Sequence, residues 1–229
     1  MKIMAIAPTT TTQWNELVQN TMNEVACPET EIEVFNLEGG PLNIESVYQE
    51  ELAVPYILEL IKEAQNKYDG VIICCFAGPG LDAAKEISSI PVIGIGEAAQ
   101  IMALPLGDRY GIVTTIDSTV TLQSRKAKIL GTGSKLVSVK PLNLSVLELE
   151  QESLVEDKIF ELVERMISED KIDVLVLGCG LLTTIGRKIQ KKLCIPTIIP
   201  HCAAIKLMEA YVRMGLAQSE KSFANPLDN

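Results

Sequence analysis

The 229-residue chain carries 20 basic and 30 acidic residues, a net charge of −10, and is 47% hydrophobic. A chain this long buries about 70–75% of its unfolded surface and needs no disulfide staples; its scattered basic residues form no block that would track a phosphate backbone, which excludes nucleic acid as a partner. No apolar run reaches the ~18 residues of a membrane span, and Ile3–Ala7 before Pro8 is too short for a signal-peptide core, so the expected location is the cytoplasm, where thiols stay reduced.

Short β-branched runs alternate with longer segments of helical period, the pattern of an α/β chain with mostly parallel sheets. Lys2–Ala7 is predicted as the first strand, and the hydroxyls of Thr9–Thr12 as caps for a helix over Gln13–Val25. Glu31–Asn36 alternates like a strand, Val54–Asn66 is amphipathic and helical, and Val71–Cys75 is a buried strand. Leu81–Ile87 is a helix, Val92–Ile95 a strand and Ala98–Ala103 a further helix. The pattern then restarts. Tyr110–Thr114 repeats the opening strand, Thr119–Lys128 the helix, and Lys135–Val139 the next strand. Glu156–Ile167 is helical, Val174–Leu177 a strand, Leu182–Lys192 a helix, Thr197–Ile199 a strand and Ala203–Met214 the closing helix. Ser219–Asn229 reads as a polar tail. The expected fold is two pseudo-symmetric α/β lobes, residues 1–100 and 101–202, with a helix near 203–218 packing back on the first lobe. In such sheets ligands bind beyond the carboxyl ends of the strands, which places the active site in the cleft between the lobes.

The repeat is explicit around two cysteines. Asp69-Gly-Val-Ile-Ile-Cys-Cys75 matches Asp173-Val-Leu-Val-Leu-Gly-Cys179, each cysteine six residues after an Asp at the end of an apolar run. Downstream, Ile90-Pro91-Val-Ile-Gly-Ile-Gly96-Glu97-Ala98-Ala99 has the spacing of Ile195-Pro196-Thr-Ile-Ile-Pro-His201-Cys202-Ala203-Ala204. Two similar lobes facing each other would bring two thiols to one cleft, as a two-base proton-transfer enzyme requires.

A thiol acts as a base only as thiolate, and a glycine-bearing turn leading into a helix offers N–H groups that favour the anion. Gly78 and Gly80 after Cys75, and Gly180 after Cys179, let those turns pass close to a ligand. Phe76, Ala77 and Leu181 complete the two turns and are candidate substrate contacts with them. Thr9, Thr10, Thr114 and Thr115, at the ends of the two leading strands, are candidate donors to a small polar substrate, or helix caps. His201, the single histidine, precedes the closing helix and is a candidate substrate contact. Cys27, Cys74, Cys194 and Cys202 read as small hydrophobes. With one histidine and no C-x-x-C, no metal site is expected.

Cys75-Phe-Ala-Gly-Pro-Gly-Leu-Asp-Ala-Ala-Lys-Glu86 resembles the first-cysteine motif C-F-G-D-P-G-L-x-A-A-R-E of the hydantoin and allantoin racemase branch of the Asp/Glu/hydantoin racemases. Leu52-Ala-Val-Pro55, Pro91-Val-Ile-Gly-Ile-Gly-Glu-Ala-Ala99 and Gly111-Ile-Val-Thr-Thr115 are similar too, so the resemblance covers nearly the whole chain. It implies the two-lobed racemase fold, Cys75 and Cys179 as the acid/base pair, no metal or organic cofactor, a small-molecule substrate and a homo-oligomeric assembly. The implied activity is cofactor-independent racemisation at the acidic carbon of a 5-substituted hydantoin or allantoin-like ring.

The departures define an alternative. Ala77-Gly78 stands where the branch has Gly-Asp, Ala7-Pro8-Thr9-Thr10 where it has N-P-N-T, and Pro200-His201-Cys202 where it has Asp-Gly-Val. Cys179-Gly-Leu-Leu-Thr183 is similar to the C-G-x-L-x-T segment of arylmalonate decarboxylases and maleate isomerases. The alternative is a related lyase or isomerase (decarboxylation, C=C isomerisation, or thiol attack as in desulfuration of a thiohydantoin-like ring) using Cys179 and Cys75. A binding protein that kept the cleft without turnover is the third reading.

Overall fold

The computed structural model describes residues 1–226; the last three residues of the expected polar tail, 227–229, lie outside the described residues. Strands β1 (Lys2–Ala7), β2 (Glu31–Asn36), β3 (Gly70–Ile73) and β4 (Val92–Gly94) form a parallel sheet in the order β2-β1-β3-β4. Strands β5 (Tyr110–Thr114), β6 (Leu136–Pro141), β7 (Val174–Leu177) and β8 (Thr197–Ile198) form a second parallel sheet in the equivalent order β6-β5-β7-β8. The helices are α1 (Asn15–Asn23), α2 (Val47–Ala64), α3 (Leu81–Ile87), α4 (Ile95–Ala103), α5 (Ser118–Leu130), α6 (Glu152–Arg165), α7 (Thr183–Leu193) and α8 (Pro200–Met214). The repeat seen in the sequence is therefore a repeat of topology.

The central strands are buried on both faces, which is why they read as unbroken apolar runs. Their alternate residues serve different layers. Ile3 and Ala5 of β1, Ile72 of β3, Ile112 of β5 and Val174 and Val176 of β7 share one core with Ala98 and Ala99 of α4 and Ala204, Ile205 and Met208 of α8. Met4, Ile6, Val71 and Ile73 face the opposite way, onto Ala53, Ile57 and Ile61 of α2. Val113, Leu175 and Leu177 pack onto Ile159 and Val163 of α6 and Ile185 and Ile189 of α7. Each fully buried Ile or Leu contributes roughly 1.5–3 kcal/mol. The shared layer joins the two halves, and the paired alanines at 98–99 and 203–204 let α4 and α8 lie against each other within it.

Helix α8 also packs on α1 and β3. The buried Glu209 ties it down, accepting from Cys27 N at 2.6 Å, Thr30 Oγ1 at 2.6 Å and Lys206 Nζ at 2.8 Å. Burial alone would raise this carboxyl, but the hydrogen bonds from Lys206, Thr30 and Cys27 outweigh it and hold the group at about 2.

Several boundaries differ from the sequence expectation. Helix α2 starts at Val47 instead of Val54. Its start is capped by Ser46, whose Oγ accepts from Gln49 N at 3.3 Å, while Gln49 Oε1 accepts from Glu45 N at 2.8 Å. A start at Val54 would have put Pro55 in the first turn, where its missing N–H costs nothing. The helix instead runs through Pro55, because Ala53, Ile57 and Ile61 gain a buried face. The Thr9–Thr12 hydroxyls do not cap α1, which follows Trp14 without a side-chain cap. Strand β3 ends at Ile73, so Cys75 lies beyond it in a loop. Helix α8 begins at Pro200, which puts His201 inside its first turn. Among the described residues no helix is long and apolar enough to cross a membrane.

Candidate active site

In each sheet the chain moves outward in opposite directions from its central pair, β1–β3 and β5–β7. The crevice beyond the carboxyl ends of such a pair is where helices splay apart and leave room for a ligand. Here the two crevices merge. Ala7, Pro8 and Thr9 at the end of β1, Cys74 to Ala77 after β3, Thr114 and Thr115 at the end of β5, and Gly178 to Leu181 after β7 line one cavity of about 110 Å³. Its walls are mostly apolar, completed by Trp14, Ile44, Leu122 and Val146.

Of the residues expected from sequence, Cys75, Cys179, Thr9, Phe76, Ala77, Thr114, Thr115, Gly180, Leu181 and His201 come together in this cavity. Thr10, Gly78 and Gly80 do not. Thr10 turns away, its N–H donating to Pro41 O at 3.0 Å. Gly78 and Gly80 have φ of 63° and 65°, and their work is to turn the chain from Cys75 into α3. They face a second, outer cavity on the far side of Phe76 and Ala77.

Each thiol comes from a different half of the chain, and each is partly buried. The turn amides of Ala77 and Gly78 favour the Cys75 thiolate and those of Leu181 and Leu182 the Cys179 thiolate, while Gly78 N donates to Cys75 O at 3.0 Å and Leu182 N to Cys179 O at 3.2 Å. This is the turn-amide arrangement that the glycines suggest. Its expected result, an easily formed thiolate, is not what the cavity produces. Desolvation outweighs the amides and pushes Cys75 up to about 11 and Cys179 to about 12. A charge on Cys75 also raises Cys179, so the cavity favours one thiolate at a time.

The threonine hydroxyls are less free than the sequence suggests. Thr119 Oγ1 donates to Ile116 O at 2.7 Å, so in its 2.7 Å contact with Thr114 Oγ1 the Thr114 proton is the one donated. Thr114 therefore has no proton left for a ligand. Thr9 Oγ1 reaches Thr11 O at 3.5 Å, a weak bond that a substrate oxygen can replace. His201 is 1% exposed, and neither ring nitrogen has a hydrogen-bond partner among the described residues. Burial holds its imidazole down at about 4, so it is neutral at ordinary pH. Gly180 lies directly on the ring: a Cβ there would stand 2.5 Å from His201 Cε1.

The sequence profile described as Asp/Glu/Hydantoin racemase matches residues 3–208, from β1 into α8. The chain belongs to this family. It is 34% identical to an allantoin racemase from Klebsiella pneumoniae, whose structure superposes with a TM-score of 0.94 over 99% of this chain and 94% of that one. An allantoin racemase from Pseudomonas fluorescens is 30% identical, with a TM-score of 0.94 over 99% of this chain and 97% of that one. A hydantoin racemase from a Pseudomonas species is 28% identical over 99% of this chain and 92% of its own length. The fold is thus the two-lobed racemase fold, and the protein is an isomerase of the racemase type from the hydantoin and allantoin branch.

Among the cavity residues of this racemase that were not found from its sequence are Trp14, Glu45 and Glu50. Trp14 stands over the cavity, its Nε1 donating to Glu150 Oε1 at 2.9 Å across the two halves. Glu45 accepts from Val146 N at 2.7 Å, again across the halves. Glu50 is buried, and its Oε2 lies 2.5 Å from Lys126 Nζ. Both carboxylates sit around the start of α2, and the signal for them was the Ser46-Val-Tyr-Gln49 pattern, whose serine N-cap marks a helix start at the cavity rim. Glu97, matched in the repeat with Cys202, pairs with Lys85 at 2.6 Å and accepts from Gly94 N at 3.5 Å; it serves α4 and does not line the cysteine cavity.

Proposed function

We propose that this racemase inverts the acidic ring carbon of a 5-substituted hydantoin or allantoin-like substrate by a two-thiol mechanism that needs no cofactor. One cysteine as thiolate removes the proton, and the other, as thiol, returns one to the opposite face of the planar enolate. The observation that carries this reading is the composition of the cavity. Cys75 and Cys179 enter it from different halves, while Glu45, Glu50 and a neutral His201 supply its ionisable groups and no Lys or Arg lines it among the described residues. A free carboxylate would meet Glu45 there and no free cation, since the Lys126 ammonium behind the wall is already held by Glu50. A neutral cyclic ureide fits, with N–H groups for the carboxylates and carbonyl oxygens for the turn amides that also face the sulfurs. The same acidic lining works against decarboxylation of a malonate, whose two carboxylates need cations or an excess of donors. Like-charged thiol coupling supports the division of labour, since a single thiolate leaves its partner protonated as the acid.

The test is NMR and polarimetry of single enantiomers of allantoin and several 5-substituted hydantoins in D₂O, beside free amino acids and an arylmalonate. Loss of the ring C–H signal together with optical rotation, confined to the cyclic ureides, is the expected result. Turnover of the amino acids or release of CO₂ from the malonate would overturn it.

A further inference from the structure

Glu50 is 6% exposed, lines the cysteine cavity, and uses only one of its two oxygens within the protein. Oε2 receives the Lys126 ammonium, while Oε1 is buried without any partner. A buried carboxylate oxygen left empty beside a ligand cavity is a costly arrangement unless a ligand donor completes it. Lys126 does not reach the cavity itself. Its Nζ also donates to the carbonyl of Ala77, whose amide favours the Cys75 thiolate. The ion pair thus joins α2 from one half to α5 from the other and fastens the Cys75 turn to both.

We propose that Glu50 is a specificity residue of this site, accepting a ring N–H of the substrate through Oε1 while Lys126 fixes the carboxylate against the Cys75 turn. The proposal rests on the cyclic-ureide reading above and sharpens it: the site selects a ring with an unsubstituted N–H at one particular nitrogen. Two features distinguish this from a purely structural ion pair. A structural pair satisfies both oxygens internally or leaves them to bulk water, whereas Oε1 is sealed from water. Glu50 also lines the same cavity as Cys75, so one ring can meet both residues. The chain has Ala77-Gly78 beside its first cysteine, with no acidic side chain in that turn. Glu50 brings a carboxylate there from a different element.

The experiment compares a racemised 5-substituted hydantoin with its 1-methyl and 3-methyl derivatives, on the wild-type enzyme and on Glu50→Gln. One N-methyl isomer is expected to lose at least about tenfold in kcat/KM on the wild type, the equivalent of one lost hydrogen bond near 1.4 kcal/mol. The other isomer loses little. In Glu50→Gln, whose amide can turn its NH₂ or its oxygen to the ring, the N–H substrate falls by a similar factor and the gap between the isomers closes. Binding read by fluorescence of Trp14, the single tryptophan and part of the cavity wall, should follow the same order and is independent of turnover. If both methyl isomers bind and turn over like the parent on the wild type, Glu50 reads no N–H and the proposal falls while the racemase reading stands. The same holds if Glu50→Gln keeps the isomer gap. If the wild type neither binds nor exchanges any hydantoin, the cyclic-ureide reading fails and carries this one with it. A Glu50→Gln protein that does not fold leaves the wild-type comparison decisive.

Discussion

An alanine at position 180 would place its Cβ 2.5 Å from Cε1, 3.2 Å from Nε2 and 3.5 Å from Nδ1 of His201. The backbone at Gly180 is not left-handed, so the substitution meets no torsional objection and the whole effect is steric. The ring cannot yield, because it is 1% exposed and held in the first turn of α8. The turn over Gly180–Leu182 must rise instead, and it carries the Leu181 and Leu182 amides that favour the Cys179 thiolate. Overpacking of this kind costs about 1–3 kcal/mol. For a chain of this size each kcal/mol lowers Tm by roughly 2–4 °C, so a fall of ~2–12 °C is expected for Gly180→Ala. Displacing a reacting group by ~1 Å can cost up to about 100-fold in rate. His201→Ala empties the space the new Cβ needs, so the double variant should recover part of both losses, with a coupling of at least ~1 kcal/mol in a double-mutant cycle. Thermal and urea denaturation of the four proteins, with racemisation rates alongside, measure it. A Gly180→Ala protein with wild-type Tm and rate, or costs that simply add in the double variant, would refute the reasoning.

Two further outcomes follow from burial of the titrating groups. His201 is held at about 4 against ~6.5 for an exposed imidazole, so the unfolded chain takes up a proton that the folded chain refuses. That contribution is fully present above pH ~6.5 and is lost as pH falls toward 4, by roughly 3 kcal/mol in all. His201→Leu should flatten this part of the stability–pH curve measured by urea denaturation, and an unchanged slope would count against it. Burial also keeps Cys75 and Cys179 as thiols in the free protein. Their alkylation by iodoacetamide, followed by peptide mass spectrometry with the exposed Cys194 as internal control, should rise about tenfold per pH unit beyond the ~8.5 of a free thiol. A plateau below pH 9 at either position would show that the turn amides outweigh desolvation.

The parts of the fold visible in the sequence were those governed by burial. Val71–Ile73 and Val174–Leu177 are buried on both faces, and a doubly buried strand has no polar alternation to hide it. The two cysteines were legible because the chain repeats, and a repeat turns an ordinary strand-end cysteine into a paired one. What the sequence concealed depended on contacts between distant segments. Glu50 matters through Lys126, far along the chain, and Thr114 loses its proton through a chain of hydroxyls leading to Ile116. Gly80 matched the family motif and Gly78 departed from it, yet both have a left-handed backbone that serves the turn and faces the outer cavity. The Ser46 N-cap was readable, but the predicted amphipathic helix starts only at Val54. The thiol balance was the least accessible, since turn amides and desolvation oppose each other and only the depth of the cavity decides the winner.

The central claim is that two thiols act on one carbon from opposite faces. Its most direct test is proton exchange of each pure hydantoin enantiomer in D₂O with Cys75→Ser and Cys179→Ser, read by NMR beside optical rotation. Each variant should lose racemisation, and at least one should still wash out the ring proton of a single enantiomer without inverting it, the two variants differing in which enantiomer they exchange. Full racemisation by either variant would contradict the mechanism.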